Sequence, residues 1–208
     1  MADPTSAPRV QPGATVSPHE FVAISGETVS VPDPGQLVHL ELRRFAGCPI
    51  CNLHLRSVVQ RKDELAAAGV KEVVVFHSTD DELRKYQAEL PVAVIADPDK
   101  KIYAEFGVEK SPRSVLNPRA WPAVLRGLGR HIGAVGKREE HLTPLTPKGG
   151  SFGLPGDFLI ASDGRVIASK YGEHAYDQWT VDEVLELAKG QSMGTSEAGA
   201  APSAPASN

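Results

Sequence analysis

Apolar and polar residues alternate along Val38-His39-Leu40-Glu41-Leu42, the period-2 pattern of a strand. After Cys51 the period changes. Leu55, Val58, Val59, Leu65 and Ala66 recur at close to helical spacing and the run ends near Gly69, which predicts one helix starting at the cysteines. Val70 to Phe76 ends in four consecutive apolar residues from Val73, as expected of a buried parallel strand. Thr79-Asp80-Asp81-Glu82 is a capping box that opens a helix through about Leu90. Val92 to Ala96 then reads as another short strand. Asp97-Pro98-Asp99 punctuates the chain, and a short helix reaches Phe106 and closes at Gly107.

Two further strand-like runs, Asp157 to Ala161 and Arg165 to Tyr171, are joined by the turn signal Ser162-Asp163-Gly164 and so form an antiparallel pair. Thr180-Val181-Asp182-Glu183 is a second capping box. It opens a last amphipathic helix carrying Val184, Leu185 and Leu187, with its stop expected at Gly190. The order βαβ…ββα predicts an α/β fold with one mixed central sheet flanked by helices.

The segments 1–12 and 191–208 are rich in Pro, Ser and Ala and offer almost nothing to bury, so disordered tails are expected on a single domain at 13–190. A stretch at about 110–150 breaks the pattern. It carries Lys110, Arg113, Arg119, Arg126, Arg130, Lys137, Arg138 and Lys148 against Glu139 and Glu140, with a helical run around Trp121 to Leu128. It reads as a helical insertion before the last hairpin that packs beside the sheet, its charges forming a solvated face.

The formal net charge of -4 and pI near 6.0 give no basic footprint for nucleic acid. No stretch has membrane-spanning length, and the N-terminal MADPTSAPRVQPG lacks the basic and apolar regions of a signal peptide; no membrane association and a cytoplasmic location are expected.

The chain has two cysteines, Cys48 and Cys51. Two thiols so close make no disulfide framework, and closing so short a loop gains little unfolded-state entropy. A structural zinc site needs four ligands, and neither a second Cys pair nor a close His pair is present; His39 and His77 lie on separate predicted strands. No metal and no cofactor are expected. A redox role remains, because Pro49 suits the first helical position and places both sulfurs at the positive end of the helix, where thiolates are favoured.

Several separate matches then carry a resemblance. Gly13-x-x-Val16-x-Pro18-x-x-Phe21, followed by Gly26 and a short strand at Thr28 to Val31, is similar to the opening motif of peroxiredoxins. Phe45-Ala46-Gly47-Cys48-Pro49-Ile50-Cys51 resembles the active-site segment of peroxiredoxin-like proteins. Asp97-Pro98-Asp99 through Tyr103-Ala104-Glu105-Phe106-Gly107-Val108, and Phe158-Leu159-Ile160 with Asp163-Gly164, are similar to later segments of the same AhpC/TSA family. The resemblance covers roughly residues 13 to 190 and implies a thioredoxin-like fold.

It also implies a thiol/disulfide or peroxide reaction, supported by a thiol reductant such as thioredoxin or a low-molecular-weight thiol. In a thioredoxin-type reaction Cys48 attacks a substrate disulfide and Cys51 resolves the mixed disulfide. In the peroxiredoxin pattern P-x-x-x-T/S-x-x-C the peroxidatic cysteine corresponds to Cys51, with Cys48 resolving its sulfenic acid. The leading reading is the oxidoreductase; the alternatives are the peroxidase and a non-catalytic redox sensor. Arg44 stands where the motif has Pro, and no Arg occurs from Gly153 to Ile160 to support a peroxide. Arg43 or Arg44 is a substitute, though arginines at a strand end are ordinarily solvated. Pro155 is the candidate for the cis-proline that this fold sets against the cysteines. His54, one turn beyond Cys51, is a candidate proton carrier, with an ordinary half-exposed helix position as the favoured reading. His174, Tyr176, Asp177 and Trp179 precede the last helix, where the aromatics are expected to cap the core.

Overall fold

The computed structural model describes residues 8–108, 122, 125 and 153–197. The basic stretch expected as an insertion and most of both tails lie outside the described residues.

The strands are β1 (His19–Val22), β2 (Thr28–Val31), β3 (Leu37–Arg43), β4 (Val70–Phe76), β5 (Ala93–Ala96), β6 (Gly156–Ile160) and β7 (Val166–Tyr171). The helices are α1 (Pro49–Gln60), α2 (Lys62–Ala67), α3 (Asp80–Gln87), α4 (Lys101–Glu105) and α5 (Val181–Glu197). β1 and β2 form a hairpin. The other strands form a five-stranded sheet in the order β5-β4-β3-β6-β7. β3 and β5 run parallel to β4, whereas β6 is antiparallel to β3 and β7 is antiparallel to β6. This is the mixed sheet that the element order predicts.

Side chains on β3 point alternately to the two sheet faces. Val38, Leu40 and Leu42 join Val73, Val75, Phe158, Ile160 and Phe106 in one apolar cluster. Fully burying each such side chain stabilises the fold by roughly 1.5–3 kcal/mol. The opposite face holds His39, Glu41 and Arg43, all buried between two further apolar clusters. One contains Cys48, Cys51, Leu55 and Phe76. The other contains Val58, Trp179, Val181 and Val184, so Trp179 caps the core as expected, whereas Tyr176 is exposed. The chain also threads Gly13 to Val16 along β7, with Gly13 N–H donating to Val166 at 2.8 Å and Val16 N–H to Gly164 at 3.0 Å.

Two boundaries differ from the sequence pattern. The helix expected from the cysteines to Gly69 is two helices that meet at Arg61, whose N–H donates back to Val58. Periodicity does not show this joint because Leu65 still reaches the core beyond it. The expected stop at Gly190 is absent. A glycine stop needs left-handed backbone, which Gly69 (φ 71°) and Gly107 (φ 66°) adopt and Gly190 does not, so α5 runs on to Glu197. The Thr79 capping box forms as read, its hydroxyl accepting from the Glu82 N–H. Among the described residues no helix is long and apolar enough to cross a membrane.

Candidate active site at the start of the first helix

The C-terminal end of β3 delivers Arg43 and Arg44 to the start of α1. Gly47, at φ 72°, takes the left-handed turn that brings Cys48 to the N-cap and Pro49 to the first helical position. Cys48 N–H donates to Phe45 at 3.2 Å, and Asn52 N–H donates to the Cys48 carbonyl at 2.9 Å. The two cysteines are free thiols that lie 3.1 Å apart, 0% and 1% exposed. Closing such a pair to the roughly 2.05 Å of a disulfide takes only a small shift.

The two sulfurs are electrostatically unequal. Burial disfavours the Cys48 thiolate, but the Cys51 thiol, the Arg44 charge and the N–H groups of Cys51 and Ile50 outweigh it and bring Cys48 down to about 6. Arg44 Nη1 stands 3.7 Å from Cys48 Sγ. Cys51 is driven the other way, well above the ordinary thiol range, first by burial and then by its hydrogen bond and charge repulsion with Cys48. Near neutral pH this gives a thiolate at Cys48 and a thiol at Cys51.

Four supporting residues were expected around this pair. Pro49 and Arg44 are there, and Arg44 is buried rather than solvated because its guanidinium faces the sulfur and the Phe45 ring. Arg43 is also buried rather than solvated. Its Nη2 donates to Asp157 at 2.7 Å and to Glu41, and lies 3.2 Å from His54 Nε2. The half-exposed position expected for His54 is therefore corrected: the side chain is buried and turned toward Arg43 and Glu41. Pro155 is corrected as well, since Val31–Pro32 is the cis peptide bond among the described residues and the bond before Pro155 is trans. Pro155 packs instead against Gly172, whose N–H donates to the Pro155 carbonyl at 2.9 Å.

Three residues that no functional reading singled out, Asp97, Tyr103 and His77, support the strand end. Asp97 accepts from the N–H groups of Lys101, Ile102 and Tyr103 and so orients α4. That places the Tyr103 hydroxyl on the carbonyls of Arg43 and Val75, the latter at 2.9 Å. His77 N–H donates to the Arg44 carbonyl at 3.1 Å, and its ring meets Tyr103 edge-on. The "D-x-D…Y" stretch was the available signal for Asp97 and Tyr103. Nothing local marked His77.

Below the sulfurs, the polar face of β3 makes a second constellation. His39 Nδ1 lies 2.8 Å from Glu72 Oε2, while its Nε2 lies 3.3 Å from Asp157 Oδ1. His39, Glu41 and Glu72 bring potential ligand atoms within 4.8 Å of one another. They do not fit a metal: the His39–Glu72 separation is that of a hydrogen bond, the second ring nitrogen is turned to another carboxylate, and Arg43 already serves Glu41 and Asp157 as cation.

Comparisons with known proteins agree with the fold. Peroxidoxin BcpB from Mycobacterium tuberculosis is 16% identical, with a TM-score of 0.60 over 88% of this chain and 98% of that one. The reduced 2-Cys peroxiredoxin of Plasmodium vivax is 11% identical, with a TM-score of 0.64 over 93% of this chain and 88% of that one. The thiol peroxidase of Chromobacterium violaceum is 12% identical, with a TM-score of 0.58 over 91% and 92%. At such identities the likeness establishes the thioredoxin-like fold alone. None of the curated proteins matches the chain. The family model described as AhpC/TSA antioxidant enzyme matches residues 57–174, a segment that begins beyond Cys48 and Cys51 and so leaves their roles to geometry. That match spans more than half of the sequence, and the chain belongs to the AhpC/TSA antioxidant enzyme family.

Proposed function

We propose that the chain is a thiol/disulfide oxidoreductase that cycles Cys48 and Cys51 between dithiol and disulfide, with Cys48 as the leading nucleophile. The observation that carries this reading is geometric: two thiols 3.1 Å apart at the start of α1, with Arg44 Nη1 3.7 Å from Cys48 Sγ, a placement that favours the thiolate at Cys48. The Cys48 thiolate attacks one sulfur of a disulfide substrate. A bond forms to Cys48, the substrate S–S bond breaks, and the electron pair leaves with the departing thiolate.

Capping Cys48 removes its negative charge, and with it the two influences from Cys48 that raise Cys51. The Arg44 charge and N–H, which already favour the Cys51 thiolate, then act against burial alone. Cys51 gives its proton to the departing thiolate and attacks Cys48 Sγ; the bond between Cys48 and the substrate sulfur breaks, the second half of the substrate leaves as a thiolate that takes a proton from solvent, and the internal disulfide remains. A thiol reductant returns the pair to the dithiol. Arg44 thus serves the two sulfurs in turn.

Burial narrows the oxidants that reach this pair. At 0% exposure Cys48 meets an oxidant only after the helix start opens, by a smaller movement for a small oxidant than for a protein disulfide. With peroxide as oxidant the same asymmetry favours Cys48 over Cys51 as the attacking sulfur, and Cys51 then resolves the sulfenic acid. Single-cysteine variants test the assignment. Cys51→Ser is expected to trap a mixed disulfide with a small aromatic disulfide such as dithiobis(nitrobenzoate), and Cys48→Ser to react far more slowly. A trapped adduct on Cys51 and none on Cys48 overturns it.

A further inference from the structure

We propose that Tyr103 is a positioning residue for the sulfur pair: by tying down the peptide unit that precedes Arg44, its hydroxyl aims the Arg44 guanidinium at Cys48 Sγ. This role rests on the reading of Cys48 as the activated sulfur. The need for such a residue arises where the sheet ends. The β6 ladder closes at the Leu42–Gly156 pair and the β4 ladder at Arg43–Phe76. Beyond those pairs the chain turns into the site through buried residues, whose backbone polar groups need other partners.

Two of those groups flank the Arg44 Cα. The Arg43 carbonyl accepts from the Tyr103 hydroxyl, and the Arg44 carbonyl accepts from the His77 N–H at 3.1 Å. Each carbonyl belongs to a planar peptide unit, so holding one on either side of a residue fixes both of its backbone dihedrals. Fixed dihedrals set the direction of the Cα–Cβ bond and restrict the rotamers open to the side chain. From there the Arg44 stem passes Gly153, where a Cβ would lie 3.8 Å from Arg44 Cγ. The guanidinium carbon arrives 5.3 Å from the centre of the Phe45 ring, with Nη1 3.7 Å from Cys48 Sγ.

Of the two clamps, the tyrosine is the one made by a side chain, and it is firmly seated. Asp97 N–H donates to Phe76 at 2.8 Å, and its carboxylate accepts from the N–H groups of Ile102 and Lys101 at 2.8 and 2.9 Å, which ties the first turn of α4 to the end of β4. The Tyr103 ring lies in the apolar cluster with Leu42 and Val75 and edge-on to the His77 ring. Its hydroxyl also reaches the Val75 carbonyl at 2.9 Å, so one donor spans the ends of β3 and β4. Burial holds the phenol well above its ordinary range, which keeps the proton on the oxygen. Core packing accounts for the ring but not for the hydroxyl, a polar group that a phenylalanine would spare this buried position.

Thiolate ultraviolet absorbance against pH in the Cys51→Ser protein reads Cys48 without any turnover. Tyr103→Phe keeps the ring and removes only the clamp; it is expected to raise the Cys48 midpoint by about 0.5 pH unit or more, short of the roughly 1–3 expected on removing Arg44 itself. The same change made in Arg44→Met is expected to move nothing further, because the tyrosine acts through the arginine. Asp97→Asn keeps the tyrosine but loosens its seat. It is expected to shift the midpoint the same way by less, and it carries the test if circular dichroism shows that Tyr103→Phe does not fold. A midpoint that stays put in the folded variant, or an equal shift with and without Arg44, overturns the positioning role. When the parent midpoint is low, either result sinks this role alone; a parent in which Cys48 titrates as an ordinary thiol sinks the assignment of Cys48 as leading nucleophile along with it.

Discussion

Arg44 and Cys48 meet through a guanidinium nitrogen 3.7 Å from the sulfur, both side chains buried at the end of β3. A cation held that close to a thiol in a dry site favours the thiolate by about 1–3 pK units. Arg44→Met is therefore expected to raise the Cys48 titration midpoint by about that amount. Thiolate ultraviolet absorbance against pH, measured in a Cys51→Ser background, checks it. An unmoved midpoint would assign the activation of Cys48 to the hydrogen bond from position 51 and the N–H groups of the helix start.

The order of chemical modification follows from the same asymmetry. At pH 7 Cys48 is mostly thiolate and Cys51 mostly thiol, so a small alkylating agent at limiting concentration is expected to label Cys48 at least about tenfold faster. Peptide mass spectrometry of the quenched reaction gives the ratio. Preferential labelling of Cys51 would reverse the roles assigned to the pair.

His39 predicts an alkaline loss of stability. Burial lowers its pKa, but the Glu72, Asp157 and Glu41 partners raise it to about 10, above the unfolded value of 6.5. Its contribution is complete below 6.5 and disappears as pH climbs through 10, with a slope of up to about 1.4 kcal/mol per pH unit in between. Cys48 acts in the opposite sense, its contribution being present above 9.0 and lost as pH falls through about 6. Comparing denaturant unfolding of the parent and His39→Gln from pH 6 to 10 isolates the histidine, whose removal should abolish its share of the alkaline decline. Parallel curves would rule out a charged His39.

Gly172 is where the trans Pro155 turn meets the end of β7. A Cβ there would lie 2.6 Å from the Asp177 carbonyl oxygen and 2.6 Å from Pro155 Cγ, one of them backbone that cannot turn aside. Gly172→Ala is expected to cost about 1–3 kcal/mol in chemical denaturation. The Cys48 midpoint is expected to stay in place, which separates a packing defect from a change at the sulfurs.

Most of the fold was legible because its signals are local. The Thr79 and Thr180 capping boxes, the Ser162-Asp163-Gly164 turn and the four apolar residues from Val73 each act within a few residues, and each appears where it was read. The sulfur pair was legible for the same reason. The polar half of β3 was not. Alternation of His39, Glu41 and Arg43 with Val38, Leu40 and Leu42 is also the pattern of a strand with one wet face. Here helices cover that face, and the charges tolerate burial only because Glu72 from β4, Asp157 from β6 and His54 from α1 complete them. Those partnerships depend on sheet register, which no single segment encodes. The solvated positions expected for Arg43, Arg44 and His54 failed on this point.

The way Arg43 is shared bears on how this sequence can drift over evolution. One guanidinium serves carboxylates on two strands and a histidine on a helix, so any single replacement strands a charge elsewhere. Natural change in this part of the core is expected to occur in correlated sets, with Arg43, Glu41 and Asp157 exchanged together for residues of matched volume. These positions would then pass from ancestor to descendant as one block, while the surface around them varies freely.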